Sequence, residues 1–127
     1  MQIYLFKPLF PSKNELFYSL FYPLLLIKKG DIWAMKIILL FGAGKSATVL
    51  IKYLLKKAPI MNWKLIVADA NKELVSQKLG GHPMSEALAL DVKNEEERKL
   101  AVAKADLVIS LLPPHLHILV AKDCLTH

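Results

Sequence analysis

The sequence predicts an α/β fold in which helices flank a parallel sheet, and three features indicate it. First, residues 35–58 combine a run of branched apolar residues, a glycine turn and an amphipathic segment. Second, short apolar runs follow at 63–68, 87–90 and 107–112. Third, segments with helical periodicity separate these runs. Strands that alternate with helices in this way are typical of βαβ units, which build parallel sheets.

The first strand and helix, MKIILLFGAGKSATVLIKYLLKKA, contain the most informative motif. Apolar residues from Ala47 to Ala58 follow the i, i+3, i+4, i+7 spacing of a helix packed against a sheet, and Pro59 is expected to end it. Gly42 permits the sharp turn from strand to helix, and Gly44 leaves space for a pyrophosphate at the helix N-terminus. A G-x-G-x-x-A motif alone is weak evidence for such a ligand, so its context decides.

The second strand, at 63–68, ends at Asp69, which lies 27 residues beyond Gly42. Dinucleotide-binding folds place a ribose-binding acid about 20 residues after the glycine turn. Asp69 could also cap the helix predicted over 71–79, which Gly80 ends. We favour the ribose role because two elements of the fingerprint are correctly spaced, although both roles can coexist.

The third strand, at 87–90, is followed by Asp91 and then by a helix for which Asn94 is the predicted N-cap. Glu95 and Lys99 can pair at i, i+4 on that helix. The charged residues of this segment therefore need no catalytic explanation.

The fourth strand, at 107–112, is a continuous apolar run, as expected of a central strand buried on both faces. Pro113 and Pro114 end it, and a further helix is predicted from His115. With right-handed crossovers, the alternation gives a parallel sheet in the order 3-2-1-4, which is the arrangement of a Rossmann fold. Its ligand crevice is expected beyond the carboxyl ends of strands 1 and 4.

The sequence gives little support for a P-loop or for a site built from histidines. Residues 44–46 (GKS) resemble the end of a P-loop, but Leu39 occupies the position five residues earlier where that motif needs glycine. His115 and His117 are two residues apart at the start of a helix, so they point to different sides of it. No metal site and no catalytic set are predicted, and only His117 lies near the expected crevice.

Composition narrows the classes of protein to consider. The 127 residues are 54% hydrophobic, enough for one core, and the net charge is +6. The lysines are scattered and do not interleave with aromatic residues, so we expect no nucleic-acid partner. Cys124, the single cysteine, excludes an internal disulfide and fits a reducing compartment, for which we expect the cytoplasm.

Residues 1–34 differ in character from the rest of the chain. The apolar run at 16–27 is interrupted by Pro23 and is shorter than the roughly 20 residues that a bilayer span needs, so we expect no membrane segment. No small-residue cleavage pattern follows it. We therefore expect an N-terminal extension outside the fold, explained by a start site assigned too early, and a cofactor-binding domain over 35–127.

Between Met35 and Leu125, the segments FGAGKSA, VADAN, LDV and ADLVISLLPPHLH resemble the N-terminal cofactor domain of the saccharopine dehydrogenase (saccharopine reductase) family. The most particular of these is the stretch at 106–117. The resemblance implies a Rossmann domain that binds NAD(P), attached to a domain that handles an amino-acid-derived imine or secondary amine. It also implies reversible hydride transfer at a C–N carbon, in lysine metabolism.

Specific contacts to the dinucleotide follow from the same resemblance. By position, Gly42, Gly44, Lys45 and Ser46 would hold the pyrophosphate, Asp69 and Ala70 would meet the adenosine ribose, Asp91 and Val92 would border the adenine, and Leu111, Leu112 and Pro113 would lie beside the nicotinamide half.

Two departures from the family pattern bear on function. Members that use NADP carry a basic residue just after the second strand, whereas this chain has Asp69-Ala70-Asn71, so NAD is favoured, with NADP possible through Lys72. The chain also ends where a fifth strand would begin, so we expect a fragment that lacks the substrate domain and binds the dinucleotide without turnover. The contacts of a homodimer are expected in the missing domain. The alternative is a non-catalytic module that senses a dinucleotide.

Overall fold

The structure, a computed structural model, describes residues 2–5 and 34–126. Its five strands are β1 (Gln2–Leu5), β2 (Lys36–Phe41), β3 (Trp63–Asp69), β4 (Ser85–Ala89) and β5 (Leu107–Ser110). Its four helices are α1 (Ala47–Met61), α2 (Lys72–Leu79), α3 (Glu95–Lys104) and α4 (Pro114–Leu125).

The strands form one sheet in the order β1-β5-β2-β3-β4. Strands β5, β2, β3 and β4 are parallel, and β1 is antiparallel to β5 at the edge. The four parallel strands have the predicted order 3-2-1-4, so the Rossmann-type α/β fold is confirmed. The carboxyl ends of β2 and β5 meet at one edge, where Phe41 is paired with Ser110.

Side chains of β2 alternate between two hydrophobic clusters, one on each face of the sheet. Ile38 and Leu40 belong to the cluster that includes the buried faces of α1 and α2. Leu39 and Phe41 belong to the other cluster, with residues of α3 and α4. Because successive side chains of a strand point to opposite faces, a continuous apolar strand must have helices on both sides, and here it does.

The first helix extends beyond its predicted end. Pro59 lies inside α1, which continues to Met61. Proline lacks only its own N–H, and near the end of a helix this removes a single hydrogen bond without preventing the residues after it from being helical. The helix ends instead at Asn62, whose backbone is left-handed (φ 53°) and whose N–H donates to the Ala58 carbonyl. Lys56 and Lys57 consequently lie before the last turn.

The third parallel strand begins earlier than its apolar residues indicate. The sequence predicts it at 87–90, whereas β4 covers Ser85–Ala89. It is an edge strand with a half-exposed surface, so polar side chains at its start do not prevent backbone pairing. Glu86 forms an ion pair with Lys64 of the neighbouring β3.

Part of the predicted N-terminal extension pairs with the sheet. Gln2–Leu5 forms β1, in the register that places Ile3 opposite Ile109. The apolar run at 16–27 lies outside the described residues, and the division of the chain at residue 34 stays a prediction. Within 2–5 and 34–126, no helix is long and apolar enough to cross a membrane.

Candidate functional site

The glycine turn between β2 and α1 lies at the carboxyl edge of the sheet. Gly42 has a left-handed backbone (φ +97°), and a Cβ added to it would come within 3.4 Å of the backbone of Leu111, which follows β5. Its N–H donates to the Ala68 carbonyl at 2.9 Å. Gly42 is therefore explained by the fold, because both its conformation and its neighbours disfavour a side chain.

Gly44 is different, since nothing in the fold requires a glycine there. Its φ is not positive, and a Cβ added to it would meet no atom within 4 Å. The residue is exposed, in the turn at the carboxyl edge of the sheet. The space beside Gly44 is left open by the protein, as expected where a ligand approaches the backbone.

Three N–H groups line this open space. Within 34–126, no hydrogen bond uses the backbone N–H of Gly44, Lys45 or Ser46, and all three residues are exposed. Ser46 stands at the N-cap of α1, but its hydroxyl makes no capping bond. Free N–H groups at the positive end of a 15-residue helix attract an anion. The turn thus offers the geometry that a phosphate or pyrophosphate needs.

The carboxylate of Asp69 is tied to the glycine turn. Its Oδ2 accepts a hydrogen bond from the Ala43 N–H at 2.9 Å, and its Oδ1 accepts one from the Asn71 N–H at 2.9 Å. Asn71, not Asp69, is the N-cap of α2, because its side chain accepts from the Leu74 N–H at 3.0 Å. The capping explanation of Asp69 is therefore wrong. Each carboxylate oxygen keeps a second lone pair for an additional donor, such as a ribose hydroxyl.

A lysine that the sequence gave no reason to select also reaches the turn. The Nζ of Lys78, on α2, donates to the Gly44 carbonyl at 2.6 Å, across a separation of 34 residues. Lys72, the cation considered from the sequence, is exposed at the start of α2. Periodicity could not reveal Lys78, because it is one of many lysines on helix surfaces and its partner is a backbone carbonyl.

The other residues assigned to the dinucleotide lie along the same edge with different surroundings. Leu111 packs against the cluster on the α1 side of the sheet, whereas Leu112 and Val92 pack against the cluster on the α3 side. Ala70, Asp91 and Pro113 are exposed at this edge. The Asp91 carboxylate accepts the Lys93 N–H at 2.9 Å and so closes a local turn after β4.

A buried ion pair supports the segment after β4. Arg98 on α3 and Asp123 on α4 are 4% and 3% exposed and form a salt bridge. The same guanidinium donates to the Val92 carbonyl at 2.6 Å. Sequence reasoning missed this pair, although Arg98 lies one turn before the buried Val102 and therefore on the inward face of α3.

Ser110 and His117 form a second unpredicted pair. The Ser110 hydroxyl, at the fully buried end of β5, lies 2.7 Å from Nδ1 of His117 on the first turns of α4. This contact fixes the imidazole close to the carboxyl edge of the sheet.

The single cysteine also lies on α4. Burial, followed by the charge of Asp123, raises the pKa of the Cys124 thiol to about 12. Cys124 is therefore a protonated thiol at neutral pH, which does not suit a nucleophile.

Two further observations concern the described residues as a whole: an apolar depression and the absence of a metal-binding cluster. A depression of about 220 Å³ lies between α3 and the sheet and is mostly apolar, with Leu39, Ile66 and Leu100 in its lining, but none of the predicted site residues contributes to it. No group of three or more His, Cys, Asp or Glu side chains in 2–5 and 34–126 is arranged to hold a metal ion.

Comparison with known proteins identifies the family to which this chain belongs. The model of the family described as "Saccharopine dehydrogenase NADP binding domain" matches residues 38–127. The chain belongs to this family. The resemblance inferred from its motifs is confirmed, and with it the binding of a nicotinamide dinucleotide as the property of the domain.

Individual members of the saccharopine dehydrogenase family show how much of a relative this chain represents. It is 34% identical over 93 residues to saccharopine dehydrogenase [NADP(+), L-glutamate-forming] of Schizosaccharomyces pombe, covering 73% of this chain and 20% of that protein. It is 38% identical over 91 residues to the mitochondrial alpha-aminoadipic semialdehyde synthase of Bos taurus, covering 71% of this chain and 9% of that protein. The chain thus spans a fifth or less of these relatives.

A solved structure supports the same assignment. The apo saccharopine dehydrogenase (L-Glu forming) from Saccharomyces cerevisiae superposes with a TM-score of 0.64 at 26% identity. The alignment covers 72% of this chain and 20% of the yeast chain.

Proposed function

We propose that this chain is the cofactor-binding part of a saccharopine dehydrogenase-like oxidoreductase. The reaction would transfer hydride between a nicotinamide dinucleotide and a C–N carbon of an amino-acid-derived substrate, in lysine metabolism. The names of the fission-yeast and bovine relatives support this assignment. The observation that carries it is the open space at Gly44, which no packing or backbone constraint explains.

The exposed N–H groups of the glycine turn and the carboxylate of Asp69 would each bind or orient one part of the dinucleotide. The N–H groups of Gly44, Lys45 and Ser46 would bind the pyrophosphate, and the positive end of α1 would stabilise its charge. Asp69, held in place by the Ala43 N–H, would accept hydrogen bonds from the adenosine ribose. When bound, the nicotinamide ring supplies the hydride chemistry, and the protein supplies alignment.

Some observations favour NADP as the cofactor, and another favours NAD. The family description and the name of the fission-yeast relative favour NADP. The carboxylate of Asp69 at the end of β3 favours NAD, because it would repel a 2′-phosphate. We propose that the site accepts both.

Other parts of the sequence-based interpretation are also proposals. A separate region of the complete enzyme would hold the amino-acid-derived substrate and the contacts of a homodimer, so the chain alone would bind without turnover. The bovine relative is named as mitochondrial, and the cytoplasm stays a prediction for this chain.

A binding titration of Gly44→Val tests the proposed function. We expect NADH and NADPH to quench protein fluorescence or change their own emission with the parent, and the valine to weaken both at least about tenfold by filling the pyrophosphate's space. The melting temperature should change little, since a Cβ added at position 44 meets no protein atom within 4 Å.

Two matched variants make the result specific. Ala103→Val adds an equivalent bulk to an exposed position of α3 and should bind both nucleotides like the parent. Gly42→Val should lower the melting temperature, because position 42 has a left-handed backbone beside Leu111. Equal binding by the parent and Gly44→Val would show that the turn is only a structural connection and would refute the site.

A further inference from the structure

The ammonium group of Lys78 lies at the glycine turn, where it donates a hydrogen bond to the Gly44 carbonyl. We infer that Lys78 binds the 2′-phosphate of NADPH and thereby lets the site accept this dinucleotide despite Asp69. The inference rests on the proposed dinucleotide site and adds a specificity-determining residue to it.

The position of Lys78 follows from the path of α2. This helix begins three residues after Asp69 and packs against α1, the helix that follows the glycine turn. Lys78 is in its last turn, and its Nζ lies 2.6 Å from the Gly44 carbonyl. Lys78 and Asp69 therefore contact neighbouring residues of the turn, Gly44 and Ala43.

The lysine is not needed to complete the hydrogen bonds of the turn. The Gly44 carbonyl already accepts the Ala47 N–H at 3.0 Å, in the first turn of α1. An ammonium has three N–H donors, and within 34–126 the Lys78 ammonium uses one of them. Two donors remain for phosphate oxygens. A lysine side chain ordered over an exposed turn costs side-chain entropy, which a single surface contact barely offsets.

The opposite charges of Asp69 and Lys78, which both contact the glycine turn, would explain how a chain with an acid at position 69 can bind NADP as its family does. Asp69 is an acid where NADP-using members carry a basic residue, and a 2′-phosphate beside it would be repelled. A cation supplied by α2 would compensate that repulsion without a basic residue at position 70 or 71. The pyrophosphate presents the same chemistry to an ammonium, so the experiment must distinguish the two phosphates.

The test compares NADPH and NADH binding by fluorescence titration in the full chain. With Lys78→Gln, NADPH affinity should fall at least about tenfold while NADH affinity changes less than about threefold, because only NADPH has the additional phosphate. Lys78→Arg keeps the charge and should restore NADPH binding. Competition by 2′-AMP against 5′-AMP reports the same discrimination without the nicotinamide half.

The control for charge alone is Lys56→Gln, which removes a cation about 15 Å along α1 from Ser46, at 1.5 Å per residue. It should preserve the ratio of the two affinities. Lys72→Gln tests the other cation of α2, and a loss confined to NADPH in this variant and absent from Lys78→Gln would assign the 2′-phosphate to Lys72 and overturn the inference.

Several results would overturn the inference. Equal losses for NADPH and NADH in Lys78→Gln would assign the lysine to the pyrophosphate or to the stability of the turn. No loss for either would leave it without a role in binding. In both cases the proposed dinucleotide site would stand. If the parent binds neither nucleotide, the proposed function itself fails, and the assignment of Lys78 fails with it.

Discussion

Asp69 and Ala43, 26 residues apart, are joined by a hydrogen bond of 2.9 Å from the Ala43 N–H to Oδ2 of the carboxylate. The bond fixes the end of β3 against the glycine turn. The acid that would meet the ribose therefore also helps to fix the glycine turn, where the pyrophosphate would lie. A substitution at Asp69 should change both nucleotide preference and stability.

Replacing Asp69 by serine separates these two effects. Removal of the carboxylate should raise the affinity for NADPH relative to NADH at least about tenfold, because a repulsive charge beside the 2′-phosphate is lost. The free energy of unfolding should fall by about 1–3 kcal/mol, since the partly buried Ala43 N–H loses its acceptor. Nucleotide titrations and urea unfolding measure the two quantities.

Asp106 provides the matched control at the opposite edge of the sheet. Its Oδ2 accepts the Ile37 N–H at 2.8 Å, at the amino end of β2, where no nucleotide is expected. Asp106→Ser should therefore lower stability by a similar amount without changing the ratio of NADPH to NADH affinity. An unchanged ratio in Asp69→Ser would leave this acid only the structural role of holding the turn.

The fold was predictable because its signals are local and repeated. Each parallel strand contains a short apolar run, and two of the connecting helices begin at a capping asparagine, as Asn94 shows by accepting the Glu97 N–H. The ion pair of Glu95 with Lys99 is likewise local, and its prediction is confirmed. Helix ends were less predictable, because Pro59 only weakens a turn that the packing of α1 maintains.

Long-range polar contacts could not be predicted in the same way. The glycine turn and Asp69 were recognisable from their spacing, but the bonds of Asp69 to Ala43 and of Lys78 to Gly44 depend on how loops meet in space. In each of these bonds the second group belongs to the backbone, the Ala43 N–H in one and the Gly44 carbonyl in the other, and a backbone group leaves no signal in the sequence. The site residues therefore keep the status of predictions, while the scaffold that brings them to one edge is observed.

The buried pair of Arg98 and Asp123 should dominate the stability of the half of the sheet that it supports. Asp123→Ala would leave a guanidinium buried without its counter-charge, and removal of one partner of such a pair typically costs about 3–5 kcal/mol. Urea unfolding followed by circular dichroism measures this change. The double variant Arg98→Met with Asp123→Leu should be less destabilised than Asp123→Ala, because no uncompensated charge remains.

An exposed pair on the same helix gives the comparison. Glu95 and Lys99 form a surface salt bridge on α3, and the lysine lowers the pKa of the Glu95 carboxyl chiefly by hydrogen bonding to it. Glu95→Gln should change the free energy of unfolding far less than Asp123→Ala, because solvent screens an exposed pair. Similar losses in Glu95→Gln and Asp123→Ala would contradict the structural importance of the buried pair.

Removal of residues 1–34 tests where the domain begins. A chain that starts at Met35 keeps β2 to β5 and, of both hydrophobic clusters, all the members that the structure describes, which lie between Ile37 and Cys124. It loses the four-residue pairing of β1 with β5. Each backbone hydrogen bond contributes about 1 kcal/mol net, but ordering each residue of this four-residue strand costs about as much in conformational entropy, so the two nearly cancel. We therefore expect the melting temperature to fall by no more than roughly 5 °C, which corresponds to about 1 kcal/mol in a domain of this size.

A second deletion identifies the source of any loss. A chain that lacks only residues 1–5 removes β1 and retains 6–34, so equal melting temperatures for the two deletions would assign the whole effect to the strand. Without β1, the edge of β5 presents unpaired N–H and carbonyl groups that favour pairing between molecules, which size-exclusion chromatography would detect as concentration-dependent association. A much larger drop for the chain that starts at Met35 than for the shorter deletion would place residues 6–34 inside the folding unit. The predicted boundary at residue 34 would then be wrong, since a segment outside the fold contributes no cooperative stability.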